Sequence, residues 1–175
     1  MDDLIILEVT VNGQRRSARV DRRELLVEAL RARFGVTGPK IGCLTGDCGA
    51  CTVRLNGLIT KSCLRLAVAE EGAEIETLES MSTESGLSDL QEAFWDNNAF
   101  QCGYCLSGML FSAEDLLEHN PTPNEQEIRQ AISGNLCRCT GYDAIVTAIK
   151  QHADRVGDKT FSTRPADVGE ISSQA

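Results

Sequence analysis

The sequence predicts an α+β fold with two unlike halves, a small mixed sheet with one helix and then a set of four helices. Residues 4–11 read LIILEVTV, a β-rich run that ends at an Asn-Gly pair, and a second Asn-Gly pair stands at residues 56–57. Beyond about residue 79, apolar residues recur at the three- and four-residue spacing of helices. A chain of 175 residues is long enough for one ordinary domain or two small ones.

Two hairpins are expected in the first half. Asn-Gly adopts positive φ at low cost, so each Asn-Gly pair is typical of a tight turn between antiparallel strands. The first turn would join residues 4–11 to a strand near residues 16–20. The second would join residues 52–55 to residues 58–62.

One helix is expected between the hairpins. Asp21 and Glu24 have the spacing of an N-cap residue and its partner in the first turn, and Gly35 is suited to end the helix. A last strand near residues 75–78 would complete the sheet. The first domain would therefore cover residues 1–78, with the helix on one face of the sheet.

The second half is predicted to be helical. Residues 79–87 are rich in Ser, Thr, Glu and Gly and are typical of a linker, and residues 88–156 would form the helical domain. Four helices are expected within it, at about residues 88–97, 106–120, 124–132 and 142–155. Residues 157–175 are polar, without helical periodicity, and typical of a flexible tail.

The composition argues against two classes of partner. A formal charge of −9, from 26 acidic residues against 17 Lys and Arg, disfavours binding to nucleic acid. No apolar run approaches about 18 residues, the length of a membrane-spanning helix. The start, Met1-Asp2-Asp3, lacks the basic segment of a signal peptide, and we expect a cytoplasmic location. Thiols stay reduced there, so patterned cysteines are more typical of metal sites than of disulfides.

The eight cysteines fall into two sets of four. The first cysteine set is Cys43, Cys48, Cys51 and Cys63, and its C-x4-C-x2-C…C spacing resembles that of plant-type [2Fe–2S] ferredoxins. The loop that carries the first three also contains three glycines, which let several backbone N–H groups turn toward an anionic cluster. Cys63 is expected on the strand after the second hairpin. Free core cysteines and a zinc site are the alternatives.

The second cysteine set is Cys102, Cys105, Cys137 and Cys139. Cys102 and Cys105 are expected at the start of one helix, and Cys137 and Cys139 lie just before another. Helix N-termini favour thiolate over thiol, so both segments are suited to hold an anion. The spacing alone leaves three interpretations open: a second [2Fe–2S] cluster, a zinc site, or a group of redox-active thiols.

Two longer motifs resemble a known family. They are Cys102-Gly-Tyr-Cys105-Leu-Ser-Gly108 and Gly134-Asn-Leu-Cys-Arg-Cys-Thr-Gly-Tyr142. Together with the first cysteine loop, they resemble the iron–sulfur subunit of the xanthine dehydrogenase family of molybdenum hydroxylases. The resemblance covers about residues 4–155, and every ligand position of the family pattern is a cysteine. It implies an N-terminal β-grasp domain like plant-type ferredoxin and a C-terminal four-helix bundle.

The resemblance also implies cofactors and partners. Two [2Fe–2S] clusters would be held by the two cysteine sets. The cluster of the helical domain would lie nearer the molybdopterin of a large subunit, and the other nearer the FAD of a medium subunit. Gln101 and Cys102 would touch the pterin of the partner. A structural role for Gln101, such as capping the following helix, is the alternative.

No catalytic constellation accompanies the cysteines. The sequence contains no G-x-G-x-x-G or G-x-x-x-x-G-K loop for nucleotide phosphates, and no recognisable nucleophile with its base. We therefore predict an electron-transfer subunit of an oxidoreductase, with no substrate turnover of its own. The resemblance implies hydroxylation at a carbon centre as the reaction of the whole enzyme. A free-standing two-cluster ferredoxin and a zinc-binding structural module are the alternatives.

Overall fold

The computed structural model describes residues 4–82 and 86–162, with side chains described as far as residue 156. It is mixed α/β, with a sheet-containing first half and a helical second half. The strands are β1 (Leu4–Val11), β2 (Gln14–Asp21), β3 (Thr52–Leu55), β4 (Leu58–Lys61) and β5 (Glu74–Glu76). The helices are α1 (Leu26–Ala32), α2 (Asp89–Asp96), α3 (Leu106–His119), α4 (Glu125–Ala131) and α5 (Asp143–Ser162).

The two predicted hairpins are confirmed. The strands form one sheet in the order β2-β1-β5-β3-β4, with β1–β2 and β3–β4 antiparallel and β1–β5 parallel. At the first turn Asn12 and Gly13 have φ of 50° and 76°, the pair of positive angles that a two-residue hairpin turn requires. Leu26 and Leu30 of α1 are fully buried in the same apolar core as the sheet.

The predicted start of α1 is wrong. Asp21 is the last residue of β2, and its carboxylate accepts the Arg23 N–H at 2.8 Å instead of capping a helix. The N-cap is Leu25, whose N–H donates to the Glu28 carboxylate at 2.9 Å. Leu25 also pairs with Leu66 in an isolated antiparallel bridge, so the chain stays extended up to that point.

The predicted helices of the second half are confirmed, with one change of length. Ser88 and Asn124, the first residues of two of the predicted helices, are the N-caps of α2 and α4. Helix α5 continues to Ser162, beyond the periodicity that ends near Val156. The predicted tail beyond residue 162 and linker residues 83–85 lie outside the described residues, and the domain boundaries stay a prediction. None of the described helices is both long and apolar enough to cross a membrane.

The two halves pack against each other through β3 and α3. Arg54 of β3 forms ion pairs with Glu114 and Glu118 of α3 at 2.8 and 3.2 Å, and its side chain is only 11% exposed. The buried Ser107 hydroxyl of α3 donates to the Thr52 carbonyl at 2.7 Å. These contacts bring the loop before β3 close to the segment before α3, and each of these segments carries predicted ligands.

Candidate metal centres

The first cysteine loop wraps around the sulfur of Cys43. The backbone N–H groups of Thr45 and Cys48 donate to Cys43 Sγ at 3.4 and 3.5 Å. Leu44 has a φ of 64°, an uncommon angle for a branched side chain, and this turn directs the following N–H groups inward. Such converging donors stabilise a negatively charged sulfur, as the glycine-rich sequence of the loop predicts.

Residue 42 of the loop has no room for a side chain. A Cβ atom added to Gly42 would lie 2.7 Å from Cys48 Sγ, closer than real Cβ contacts. Glycine at this position therefore lets the backbone approach the sulfur. This close approach is a feature expected of a loop built around a cluster.

Cys51 and Cys63 are buried beside each other. Cys63 lies on a short 3₁₀ helix, Ser62–Leu64, directly after β4, so its predicted position on the strand itself is wrong. The 3₁₀ helix turns back because Ser62 donates both its N–H and its hydroxyl to the Cys51 carbonyl, at 3.3 and 2.6 Å. This turn brings the fourth cysteine to the loop that holds the other three.

The thiols of the first set differ in acidity. Hydrogen bonds from the Thr45 side chain and from backbone N–H groups lower the pKa of Cys43 to about 6. Burial raises the pKa of Cys63 to about 12, and hydrogen bonding with Cys51 adds to the shift. Cys43 is thus prepared as a thiolate at neutral pH, whereas Cys63 needs a positively charged metal to lose its proton.

The second cysteine set has an exposed pair and an inner pair. The Sγ atoms of Cys102 and Cys139 lie 3.5 Å apart, and both residues are exposed. Cys105 is buried as the N-cap of α3, and burial together with a hydrogen bond to Cys137 raises its pKa to about 12. The sulfur of Cys137 accepts the Thr140 hydroxyl at 3.2 Å.

The arrangement of the thiols fits two-iron clusters. The side chains of Cys43 and Cys48 contact each other, and the same is true of Cys51 with Cys63, Cys102 with Cys139, and Cys105 with Cys137. A [2Fe–2S] cluster takes two thiolates on each of its two irons, so two pairs per set match its ligand requirement. Among the side chains of residues 4–82 and 86–156, no three His, Cys, Asp or Glu converge as the ligands of one metal ion do.

Two polar residues support the second set, and neither was predicted. The Cys137 N–H donates to the Tyr142 hydroxyl at 3.0 Å, and Tyr142 adopts a φ of 73°. Asn135 is buried and donates through Nδ2 to the Ser112 hydroxyl at 2.8 Å. Both residues belong to the motif from Gly134 to Tyr142, which was the available sequence signal, but their roles depend on contacts that a motif does not specify.

Further hydrogen bonds connect the surroundings of the two sets. The Leu136 N–H donates to the Cys48 carbonyl at 2.9 Å. The Lys61 ammonium donates to the Gly134 carbonyl at 3.2 Å, and the Tyr104 hydroxyl donates to the Ile41 carbonyl at 2.6 Å. The two predicted cluster sites therefore belong to one connected region at the interface between the halves.

Gln101 lies on the exposed side of the second set. Its side-chain Nε2 donates to the Cys139 carbonyl at 3.2 Å, which connects the segment before α3 to the segment before α5. Helix α3 begins after Cys105 without a side-chain hydrogen bond at its cap. Gln101 therefore contacts the backbone beside the exposed cysteine pair and does not cap α3.

Comparison with protein families gives two matches that together span most of the chain. Residues 9–80 match the 2Fe-2S iron-sulfur cluster binding domain family, and residues 77–150 match the [2Fe-2S] binding domain family. The first match includes the first cysteine set, and the second match includes the second cysteine set. The two sites thus correspond to two iron–sulfur binding domains.

Two similar proteins align with most of the chain, across both iron–sulfur binding domains. The chain is 48% identical to the nicotine 6-hydroxylase small subunit of Paenarthrobacter nicotinovorans over 157 residues, which is 90% of this chain and 94% of the relative. It is 44% identical to caffeine dehydrogenase subunit gamma of a Pseudomonas species over 148 residues, or 83% of this chain and 89% of the relative.

Solved structures with the same fold include larger enzymes. Quinoline 2-oxidoreductase from Pseudomonas putida 86 matches with a TM-score of 0.85 and 44% identity, over 90% of this chain and 98% of that one. An aldehyde oxidoreductase from Desulfovibrio gigas matches with a TM-score of 0.79 and 37% identity, over 89% of this chain but 17% of that one. The chain belongs to the small iron–sulfur subunits of the xanthine dehydrogenase family of molybdenum hydroxylases, and it contains two [2Fe–2S] binding domains.

Proposed function

We propose that the chain relays single electrons from a molybdopterin-carrying subunit to an FAD-carrying subunit, with the second cysteine set on the molybdenum side. Each [2Fe–2S] cluster, when bound, takes up and releases one electron. The eight cysteines of the two sets are the proposed ligands. The protein residues would hold the clusters, keep them at a fixed separation and expose one end of the relay to each partner.

The observation that carries this proposal is the arrangement of exposed and inner cysteines. In the second set, Cys102 and Cys139 are exposed while Cys105 is buried. Next to the inner cysteine Cys137, Leu136 hydrogen-bonds to the backbone of Cys48 in the first set. The exposed pair is therefore suited to meet a donor, and the inner side is suited to pass electrons to the other cluster.

The face around the exposed pair is the proposed contact with the molybdopterin subunit. Gln101 is exposed there, and its hydrogen bond to the Cys139 carbonyl fixes its side chain beside the cysteines. We propose that Gln101 and Cys102 touch the pterin, because both lie at the surface on the donor side of the relay.

The proposed contact with the FAD subunit lies around Cys43. Leu44 and Leu64 are 48% and 56% exposed at this end, so a partner could cover two large apolar side chains close to a predicted ligand. A partner that covers both leucines would exclude water from the path. It would also bring its own cofactor close to the first set.

Finer features of the proposal follow the family resemblance. The first half would be a β-grasp domain, and helices α2–α5 would form a four-helix bundle. The complete enzyme would hydroxylate a carbon centre, with substrate bound on the molybdenum subunit. The cytoplasmic location stays a prediction.

Purification without oxygen tests this function. The full chain should co-purify with one subunit that contains molybdopterin and molybdenum and another that contains FAD. Addition of an oxidisable substrate of that enzyme should reduce the clusters of this chain before the flavin. A chain that contains iron but purifies without larger subunits would be a free-standing two-cluster ferredoxin, and a chain that contains zinc would be a structural module.

A further inference from the structure

Lys40 lies in the first cysteine loop, beside the point where this loop contacts the second cysteine set. It precedes Cys43 by three residues in the first loop. Its N–H donates to the Ala50 carbonyl at 2.8 Å, and its ammonium donates to the Gly38 carbonyl at 2.9 Å. The side chain is half-buried, so its charge is less screened by water than that of a surface lysine.

A second contact places this segment against the second cysteine set. Tyr104 lies between Cys102 and Cys105 in sequence, and its hydroxyl donates to the carbonyl of Ile41 at 2.6 Å, next to Lys40. Lys40 thus belongs to the first loop but lies beside the loop that carries two ligands of the other set.

The electrostatic environment of Lys40 agrees with this geometry. Burial lowers the pKa of its ammonium and Arg31 lowers it further, whereas Glu79, Cys102 and Cys105 raise it. Arg31 is held nearby by donating to the Thr37 and Pro39 carbonyls at 2.8 and 2.9 Å. In the part of the chain that the structure describes, no carboxylate forms an ion pair with Lys40 within 4.0 Å.

We infer that Lys40 raises the reduction potential of the cluster held by the second cysteine set. Reduction adds a negative charge to a cluster that is already anionic, and a nearby half-buried cation stabilises the reduced form more than the oxidised form. Because Lys40 is contributed by the other domain, this stabilisation exists only when the two halves are packed together. Lys40 would thereby help the second cluster to accept electrons. The inference rests on the proposed function and on the proposed ligands.

Potentiometric titration of the full chain, purified without oxygen together with its accompanying subunits, tests this role. The two clusters are followed by EPR, and their signals are assigned by the loss of one signal in Cys137→Ser. In Lys40→Met, the second cluster should be harder to reduce by about tenfold in its reduction equilibrium constant, which is about 59 mV for a one-electron couple. The first cluster should shift less.

Three further variants separate charge from structure. Lys40→Arg keeps the cation and should keep the wild-type potential. Lys40→Gln should repeat the shift of Lys40→Met. Lys150→Met removes an exposed lysine that pairs with Asp154 at 2.9 Å on α5, and it should leave both potentials unchanged.

The outcomes are distinguishable. Unchanged potentials in Lys40→Met, equal shifts of both clusters, or a shift in Lys40→Arg as large as in Lys40→Met would each overturn the role of Lys40 while leaving the two-cluster function intact. Loss of a cluster signal in both neutral variants would overturn it in favour of a structural role. Absence of both signals from the wild-type chain would instead refute the proposed function.

Discussion

The backbone N–H of Leu136 donates a hydrogen bond to the carbonyl oxygen of Cys48, and the two atoms are 2.9 Å apart. Leu136 is the neighbour of Cys137, so this single bond connects a proposed ligand residue of the first set to the residue beside a ligand of the second. Electron transfer depends steeply on the separation and connection of the two centres, and a direct hydrogen bond is a shorter path than a gap filled by water.

Removal of this hydrogen bond should slow transfer between the clusters. Leu136→Pro deletes the N–H, and the preceding residue Asn135 already has the extended angles that a following proline prefers, φ −135° and ψ 131°. We expect both EPR signals to remain, with slower equilibration between them after rapid reduction. Freeze-quench EPR measures this rate.

Leu136→Ala is the matched control because it shortens the side chain and keeps the N–H. It should transfer electrons at the wild-type rate. Equal rates in the proline and alanine variants would show that the hydrogen bond is not part of the path.

Arg54 should contribute strongly to the stability of the packed halves. Its largely buried guanidinium faces Glu76, Glu114 and Glu118 and lies over the ring of Phe111 at 6.0 Å. In Arg54→Met these partly exposed carboxylates lose the hydrogen bonds to their shared cation, and we expect a loss of about 2 kcal/mol in the free energy of unfolding. Urea denaturation provides the measurement.

Arg15→Met is the control for Arg54. Arg15 is 88% exposed and pairs with Glu8 at 3.6 Å, a geometry that contributes little. Its unfolding curve should superimpose on that of the wild type. A destabilisation as large as that of Arg54→Met would show that burial of Arg54 between the two halves is not the reason for its contribution to stability.

Gly108 should not tolerate a side chain. An added Cβ would collide with the side chain of Asn135 and with the backbone of Gly49, which belong to the two cysteine motifs. Gly108→Ala should therefore destabilise the protein by about 3 kcal/mol, as measured by thermal or urea unfolding. Gly134→Ala is the control, because only the Lys61 ammonium, 4.0 Å away, lies near its added Cβ. Similar losses in both variants would mean that the collision is relieved by movement of the loop.

Features that depend on neighbouring residues could be predicted from the sequence. Ser88 with Gln91 and Asn124 with Glu127 form the reciprocal caps of α2 and α4, because the interacting groups are three residues apart. Asp21 with Glu24 has the same spacing, yet the helix starts later. There the bridge between Leu25 and Leu66 keeps the chain extended. A local sequence pattern cannot predict this contact, because the two residues are 41 positions apart.

In the candidate site, too, local features could be predicted from the sequence and contacts between distant residues could not. The two cysteine sets could be predicted because their spacings and flanking motifs are specific. Tyr104 and Lys40 could not be given roles, because each acts across the interface between the halves. The hydrogen bond from Tyr104 to Ile41 joins residues 63 positions apart, and only the packed structure brings them together.

Glu79 should make stability depend on pH. Burial opposes ionisation of its carboxyl group, but hydrogen bonds from the Thr77 hydroxyl and from backbone N–H groups, including that of Gly38 at 2.7 Å, keep its pKa below the usual value. A carboxyl group with a lowered pKa in the folded state stabilises the protein above its unfolded pKa of about 4.3. That contribution is lost as the pH falls through the folded pKa.

The isosteric variant Glu79→Gln measures this contribution. The wild type should be more stable than the variant at about pH 7, and the difference in unfolding free energy should shrink as the pH is lowered to about 3. A difference in unfolding free energy that stays constant over this range would show that the charge of Glu79 does not stabilise the folded protein.

Low-temperature EPR of the reduced full chain, with iron and acid-labile sulfide measured on the same samples, tests the two-cluster assignment most directly. The wild type should contain about four iron and four sulfide per chain and show two distinct signals. Cys48→Ser should remove one signal and Cys137→Ser the other. A wild-type chain without iron after purification without oxygen, or loss of both signals in either variant, would contradict two independent clusters held by the two cysteine sets.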